Sequence, residues 1–230
     1  MSLPAELVDS VVDLLGSDRP ALKVTSLLSR QWLPRSRHHL FSSIRLSISG
    51  RNEYDHTELE RVEAFLALVS SPMATFIPAV AEVSLLYTPE HPVLSGRAIL
   101  VTLETFGIRP TRLFFCSVRP FSFTHPNPLA FTSSLVHLEL ENCYVPPDGI
   151  CAFPLLETLK VGGAMAVKPM VPAFLPPQLH TLQTSNTLVL DWILSLDDQV
   201  QRQITNLGLL KLTFWNQRLF HVPSQYVESL

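Results

Sequence analysis

The chain of 230 residues is 47% hydrophobic but only 16% charged, and its formal net charge is −3. Soluble domains are on average about 25% charged, so this composition predicts either a large buried core or a face that a partner covers. The small net charge gives no reason to expect a nucleic acid or an anionic membrane as ligand, and no apolar run reaches the length of a membrane span. Three cysteines do not make a disulfide framework, so we expect a reduced compartment, the cytoplasm or the nucleus.

The first predicted helix lies in the segment LPAELVDSVVDLL, which starts at the third residue and is strongly amphipathic. At about 100° per residue its apolar side chains fall in one sector, and Glu6 and Asp13 lie on the other side. Pro4 suits a first helical position, and Gly16 suits a helix stop. The apolar sector contains Leu7, Val8, Val11, Val12, Leu14 and Leu15.

Two further short helices are predicted before residue 45. The segment PALKVTSLLSRQW predicts a helix that Leu33-Pro34 closes, because the residue before a proline avoids helical geometry. Its apolar sector contains Ala21, Val24, Leu27, Leu28 and Trp32. The segment PRSRHHLF predicts a third helix that presents Leu40 and Phe41 and carries a solvated basic face of Arg35, Arg37, His38 and His39. Helices this short cannot bury such wide apolar sectors on each other, so the rest of the chain or another protein must cover them.

These segments resemble an F-box, in the form found in F-box-like proteins of mushroom-forming fungi. The matching features are Leu3-Pro4, Glu6-Leu7, the periodicity of Val11, Val12 and Leu15, Ser26-Leu27-Leu28-Ser29, Trp32 and the ending His39-Leu40-Phe41. The resemblance implies that the helices dock onto the Skp adaptor, and through it onto cullin, in a Skp–cullin–F-box (SCF) ubiquitin ligase. Carried over by matching positions, the adaptor-binding residues are Leu3, Pro4, Glu6, Leu7, Val11, Leu27, Leu28 and Trp32.

The remaining chain is predicted to be a repeat array. The segment TELERVEAFLALVSSP predicts one amphipathic helix, with Thr57 as its cap and Pro72 beyond its end. Short apolar strands then alternate with proline-rich connections in TPEHP, THPNP and KPMVPAFLPP. The segment SSLVHLELENCYV fits the leucine-rich-repeat template L-x-x-L-x-L-x-x-N/C-x-L, with Cys143 satisfying backbone groups in the turn. Similar strands have centres at Val83, Leu113, Leu138, Leu159 and Leu182, with an earlier one at Ile44 and a later one at Leu207 or Leu210.

Such units bury their leucines only by stacking on neighbours, so the array predicts a curved parallel sheet. The residues between the paired leucines then line its concave face: Arg112, Phe114, Cys116, His137, Glu139, Glu141, Thr158, Lys160, Gly162, Thr181, Gln183 and Ser185. The predicted target-binding residues are Arg112, Phe114, His137, Glu139, Glu141, Thr158, Lys160 and Gln183. A turn is expected at Gly162-Gly163. A helical connection is expected in TLVLDWILSLDDQVQRQI, with Trp192, Leu196 and Val200 along one side.

No sequence motif indicates catalysis or a bound group. The chain contains no His-Glu-x-x-His, Cys-x-x-Cys, Gly-x-Ser-x-Gly or phosphate-binding loop. His137, Glu139 and Glu141 alternate along one strand and would suit general acid–base chemistry, but the solvent side of a strand explains them equally well. We therefore expect a non-catalytic protein without metal or cofactor.

These patterns together predict an α/β protein with an F-box-like module over residues 1–45 and an irregular leucine-rich-repeat solenoid over residues 46–230. The predicted function is the substrate receptor of a ubiquitin ligase, which binds an unidentified target protein and neither nucleic acid nor membrane. Two alternatives stay open: a repeat scaffold whose helices serve only as a cap, and an enzyme with an unrecognised site. The strand near LLKLTFW has no obvious cap, so either the chain is shorter than its relatives or RLFHVPSQYVESL folds back over the sheet edge.

Overall fold

A computed structural model describes residues 3–48, 56–72, 74–87, 96–122, 130–144, 147–163, 174–185, 189, 195–197 and 201–209. Within these ranges the chain is an α/β protein with six α-helices and one seven-stranded sheet. The helices are α1 (Ala5–Leu14), α2 (Arg19–Leu28), α3 (Leu33–Phe41), α4 (His56–Val69), α5 (Gly96–Thr105) and α6 (Pro147–Cys151). The strands are β1 (Ser43–Ile48), β2 (Glu82–Tyr87), β3 (Arg112–Ser122), β4 (His137–Tyr144), β5 (Thr158–Gly162), β6 (Thr181–Thr184) and β7 (Asn206–Leu209).

The chain divides into two compact units, and the division lies between Phe41 and Ser42. The first unit contains α1–α3, and the second contains the sheet with α4–α6. Residues 42–45, which the predicted module includes, therefore lie in the second unit, because β1 begins at Ser43. Among the described residues, no helix is both long and apolar enough to cross a membrane.

The first unit has a small core in which α1 and α2 meet. Val8, Val12 and Leu22 are buried there, and Leu15, Trp32 and Leu40 pack against them. Helix α1 starts one residue later than predicted: Pro4 is its N-cap, and the Pro4 carbonyl accepts hydrogen bonds from the amides of Leu7 and Val8, both at 3.2 Å. A proline suits this position because its carbonyl accepts the first hydrogen bonds of the helix, and because it has no N–H group that would need a partner.

The prediction for α2 is wrong about where the helix ends. The helix ends at Leu28 rather than continuing to Trp32, because Ser29 is extended, with φ −162° and ψ 166°. Its buried residues are Leu22 and Thr25, whereas the predicted apolar sector of Val24, Leu27 and Leu28 faces solvent. A helix only ten residues long buries the side that faces its neighbouring helices. In α2 this side does not coincide with the widest apolar sector.

The sheet is parallel throughout and its strand order follows the chain, β1-β2-β3-β4-β5-β6-β7. The predicted strand centres are confirmed, since they lie in one register across all seven strands. That row consists of Ile44, Val83, Leu113, Leu138, Leu159, Leu182 and Leu207. Leu207 rather than Leu210 is therefore the last centre, and Leu210 lies outside the described residues.

A repeated hydrogen-bond pattern fixes this register. In each pair of neighbouring strands, the carbonyl two residues before one strand centre accepts two successive N–H groups that precede the next centre. The Ser42 oxygen accepts from Ala81 and Glu82 at 2.9 Å, and the His180 oxygen accepts from Thr205 and Asn206 at 3.0 Å. The carbonyls in this role are those of Ser42, Ala81, Thr111, Val136, Glu157 and His180. The units are thus equivalent in backbone although their side chains differ.

The buried side of the sheet carries the apolar positions that the repeat template predicts. The first six strand centres and the residues two positions later are buried, as are the template's first leucines. The latter are Val80, Leu135, Leu156 and Leu179. Helix α4 was predicted, although it begins at His56, so that Thr57 lies within it rather than capping it. Helix α5 was not predicted, and it buries Ile99, Leu100 and Leu103.

The helix predicted over 187–204 is interrupted. Residues 195–197 form a turn and bend, and the Gln201 amide donates to the Asp197 carbonyl at 2.9 Å. The Ser-Leu-Asp-Asp segment explains the break, because serine and aspartate favour helix starts over helix interiors. Leu196 is buried, as predicted. Outside the described residues lie Trp192, Val200, Val145, TPEHP, THPNP and the stretch from 210 to 230.

The end of β5 requires a glycine, in agreement with the predicted turn. Gly163 has φ +77°, and a Cβ atom placed there would lie 2.2 Å from Asn142 Oδ1. Gly162 differs, because a Cβ at that position would meet Glu141 Cγ at an ordinary 3.5 Å. The two adjacent glycines are therefore a matched pair for mutagenesis.

We expect Gly163→Ala to destabilise the second unit by about 2 kcal/mol or more, because it combines an unfavourable φ with a steric overlap. Gly162→Ala should change stability by less than about 0.5 kcal/mol. Urea denaturation of both variants measures the difference. Equal effects of the two substitutions would contradict the assignment of Gly163 to the strained position.

Candidate protein-binding surfaces

Helices α1 and α2 expose a set of large apolar side chains. Residues Leu7, Val11 and Leu14 are spaced along one side of α1, and Val24, Leu27 and Leu28 lie along one side of α2. We call these six the exposed helix residues. Leu14 and Leu27 are each 85% exposed, far more than ordinary apolar residues on a helix surface. Such exposure is typical of a surface that binds a partner.

The predicted adaptor-binding residues are distributed over this unit as follows. Leu3, Pro4, Glu6, Leu7, Val11, Leu27 and Leu28 are exposed. Trp32 is only partly exposed, because it packs against the core of Val8, Val12 and Leu22. Leu14 and Val24 were not among the predicted contacts, although both belong to the predicted apolar sectors. Their exposure adds them to the candidate surface.

An ion-pair cluster joins α1 to α3. Arg35 donates from Nε to Asp13 Oδ1 at 2.5 Å and from Nη2 to Oδ2 at 2.8 Å, and His39 Nε2 lies 2.7 Å from Oδ1. Arg35 and His39 are four residues apart, so one side of α3 brings both to the same carboxylate. The hydrogen bonds from Arg35, and then from His39, hold the pKa of Asp13 well below its usual range. Two residues of the predicted basic face, Arg35 and His39, are thus paired with Asp13 at the surface.

A buried pair of hydroxyl groups joins α2 to α3. Thr25 Oγ1 and Ser36 Oγ are 3.0 Å apart, and Thr25 Oγ1 also donates to the Leu22 carbonyl at 3.0 Å. Both side chains are buried, so each needs the hydrogen bond to offset its loss of water. With the Asp13 cluster, this bond sets the positions of the helices that carry the exposed helix residues.

The outer side of the sheet carries rows of polar residues in register. We call it the polar strand face, and around β2–β5 it consists of three rows. The first is Glu82, Arg112, His137 and Thr158; the second is Ser84, Phe114, Glu139 and Lys160; the third is Leu86, Cys116, Glu141 and Gly162. The first two rows line one open groove. The structure thus brings six predicted target-binding residues together and adds Glu82 and Ser84, which the same repeat rule applied to β2 would have given.

Three predicted concave-face residues differ from their expected setting. Cys116 is 2% exposed and is thus buried rather than available on the face. Glu141 is half-buried beside it, and Gln183 lies one strand beyond the groove lining. Cys116 is small and sits between Leu86 and Glu141, so its neighbours cover it.

The charges on the groove are only partly paired. Lys160 Nζ lies 3.7 Å from Glu139 Oε2, and Ser43 Oγ donates to Glu82 Oε1 at 3.2 Å. Arg112 is exposed, and its guanidinium makes no hydrogen bond or ion pair within the described part of the chain. Burial, and then the charge of Arg112, lowers the pKa of His137. The Arg112 guanidinium, at the start of β3, is therefore a cation of the groove that has no ion-pair partner among the described residues.

The opposite end of the polar strand face is acidic. Burial, and then the charge of Glu139, raises the pKa of Glu141, while a hydrogen bond from Cys116 opposes this shift. Burial also raises the pKa of the Cys116 thiol to about 12, so this thiol is protonated at neutral pH. Within the described residues Glu141 has no cationic partner.

Cys143 has the role that the repeat template predicts. Its thiol is buried and donates to the Glu141 carbonyl at 3.0 Å and to the Phe115 carbonyl at 3.7 Å. Burial raises the pKa of this thiol, which makes it a weak nucleophile. Among the residues that the structure describes, no group of three or more His, Cys, Asp or Glu is placed to hold a metal ion.

Comparisons of the chain with known protein families, with curated proteins and with solved structures found no match.

We expect Thr25→Val to open the α2–α3 contact at a cost of about 1–3 kcal/mol, because it leaves the Ser36 hydroxyl buried without a partner. The double variant Thr25→Val/Ser36→Ala should cost less than the single one, since it leaves no orphaned hydroxyl. Hydrogen exchange of peptides from residues 5–41, followed by mass spectrometry, measures both. A double variant as unstable as the sum of the two single ones would contradict the pairing.

We expect Glu141→Gln to raise the thermal midpoint at pH 7 by about 1–3 °C. The folded state raises the pKa of Glu141, so it disfavours the charged carboxylate relative to the unfolded chain. The gain should shrink as the pH falls through the raised pKa, because the wild-type carboxyl then takes up a proton. Glu63→Gln, on the exposed surface of α4, is the control and should leave the midpoint unchanged. A gain that does not depend on pH would contradict this cause.

Proposed function

We propose that the chain is the substrate-recognition subunit of an SCF ubiquitin ligase. Residues 1–45 act as an F-box-like module that binds the Skp adaptor, and through it cullin. The region from residue 46 onward acts as an irregular leucine-rich-repeat solenoid that binds a target protein. The subunit makes no bonds itself; it raises the concentration of the target near the transferring enzyme.

One observation carries this proposal: the six exposed helix residues present large apolar side chains to solvent. Covering six such side chains would contribute on the order of 10 kcal/mol before the entropic cost of association. The resemblance of this segment to an F-box identifies the Skp adaptor as the partner that would cover them. Leu7 and Leu27 belong both to the resemblance and to the exposed set, so they are the best residues to test.

The second unit supports the receptor part of the proposal. Seven parallel strands in one register, each joined to the next by the same shared carbonyl, are what a leucine-rich-repeat solenoid requires. The polar strand face is the surface on which such a solenoid binds its target. Arg112 and Lys160 supply cationic groups there, and His137 and Phe114 supply rings.

We expect the wild-type chain to co-purify with a fungal Skp adaptor and the variant Leu7→Asp/Leu27→Asp to lose at least 100-fold in affinity, because two charges would be buried in an apolar interface. The matched control is Leu68→Asp/Val101→Asp. These residues are 47% and 41% exposed on α4 and α5 of the second unit. The control should bind the adaptor like the wild type.

Circular dichroism of all variants must first show an unchanged sheet and helix content. A wild-type chain that is folded and does not bind the adaptor would overturn the ligase assignment and leave the helices as a cap for the array. Equal loss in the test and control variants would show that the effect is not specific to α1 and α2.

A further inference from the structure

We infer that the polar strand face binds an extended target segment carrying one acidic and one basic side chain, the acidic one at Arg112 and the basic one at Glu141. This inference rests on the proposed function and deepens it, because it states the chemistry by which the target is recognised. It follows from the positions of charges on β3–β5 that have no ion-pair partner among the described residues.

The unpaired charges lie at opposite ends of the face. Arg112 is in register with His137, and Cys116, four residues further along β3, is in register with Glu141. At about 3.3 Å per residue, the two ends are about 13 Å apart along the strands. An extended peptide places side chains four residues apart at the same distance, so one short segment spans both charges.

The other charges on the face do not compete for these ends. Glu139 is paired with Lys160, and Glu82 accepts a hydrogen bond from Ser43. Within the described part of the chain, Lys160 pairs with Glu139 in the middle row, whereas the Arg112 guanidinium and the Glu141 carboxylate lie at opposite ends without an ion-pair partner. A ligand of a single charge sign would therefore satisfy one end and be repelled at the other.

Small neighbours make the Glu141 carboxylate accessible. Cys116 flanks it on β3 and Gly162 on β5, and the missing side chain of Gly162 leaves space beside Glu141 Cγ. A lysine or arginine side chain of the target enters over Gly162. Phe114 lies between the two ends, in register with Ser84 and Glu139, and offers an apolar contact for the middle of the segment.

The electrostatic environment agrees with this assignment. The pKa of Glu141 is raised by burial and by Glu139, and a basic group placed there would stabilise the carboxylate and lower this pKa. The pKa of His137 is lowered by burial and by Arg112, which indicates a positive field where the acidic side chain would bind. Burial is the largest cause of both pKa shifts and moves an acid and a base in opposite senses, and the charges of Glu139 and Arg112 add to these shifts.

The test is selection of random twelve-residue peptides, displayed on phage, against the full chain. Peptides enriched on the wild type should carry an acidic and a basic residue three to five positions apart. Selection on Arg112→Glu should lose the acidic residue and keep the basic one, and selection on Glu141→Lys should do the reverse. A synthetic peptide of the wild-type consensus should bind at least tenfold more weakly to either variant.

Three further variants separate local charge from other effects. Gly162→Leu fills the space beside Glu141 without changing charge and should abolish only the basic preference. Arg202→Glu and Glu63→Lys, which are exposed outside the face, make the same charge changes as the test variants and should alter peptide affinity less than twofold. All variants are compared only after their thermal midpoints agree with that of the wild type.

The inference is overturned if no peptide is enriched, if the enriched peptides carry a single charge sign, or if the control variants weaken binding as much as the test variants. Adaptor binding is measured on the same samples, so the two proposals fail separately. Adaptor binding without peptide enrichment would contradict only the inferred recognition of an acidic and a basic side chain. Peptide enrichment without adaptor binding supports the recognition chemistry and removes the ligase assignment.

Discussion

The polar strand face depends on one backbone interaction, the carbonyl that accepts two successive N–H groups at the start of each neighbouring strand. Because this bond recurs from Ser42 to His180, the centres of all seven strands lie in one row, and the register of β3 against β4 shifts only beyond Cys116 and Glu141. A shift of one residue in any strand would turn its leucines to solvent and its polar residues into the core. The positions of Arg112, Phe114 and Glu141 relative to one another are therefore set by the backbone, and the side chains are free to differ from unit to unit.

The strand array could be predicted because its signal is local. Leu138 and Leu140 alternate with polar residues, and the same alternation at Val83, Leu113, Leu159 and Leu182 gave the correct register. The helices were harder, because in a short helix the widest apolar sector need not face the core. On α2 the buried side includes Thr25, a polar residue whose partner, Ser36, lies eleven positions away on another helix. The apolar spacing of Ile99, Leu100 and Leu103 signals α5, but a short apolar run between prolines also suits a strand.

The charged contacts could not be predicted from local patterns at all. Asp13 meets Arg35 and His39 across 22 and 26 residues of sequence, and the packing of α1 against α3 decides this contact. The Lys160–Glu139 pair, in contrast, follows from the register once the strands are known. Both surfaces carry features that cost stability, apolar side chains in water on α1 and α2 and a half-buried carboxylate at Glu141. A folded chain retains such features where they contribute to something other than its own stability, and binding is the contribution that the proposals assign to them.

The strands of the sheet also follow the order of the chain, and this determines which insertions and deletions the fold tolerates. Successive strand centres lie 39, 30, 25, 21, 23 and 25 residues apart, yet neighbouring strands stay neighbours throughout. The entropy of closing a loop grows only slowly with its length, so a connection can gain or lose several residues at small cost. Since the strand order follows the chain, an insertion between two units leaves the pairing of the strands unchanged. The architecture therefore separates two kinds of sequence variation. The length of the connections and the side chains on the strand face can each change without affecting the other.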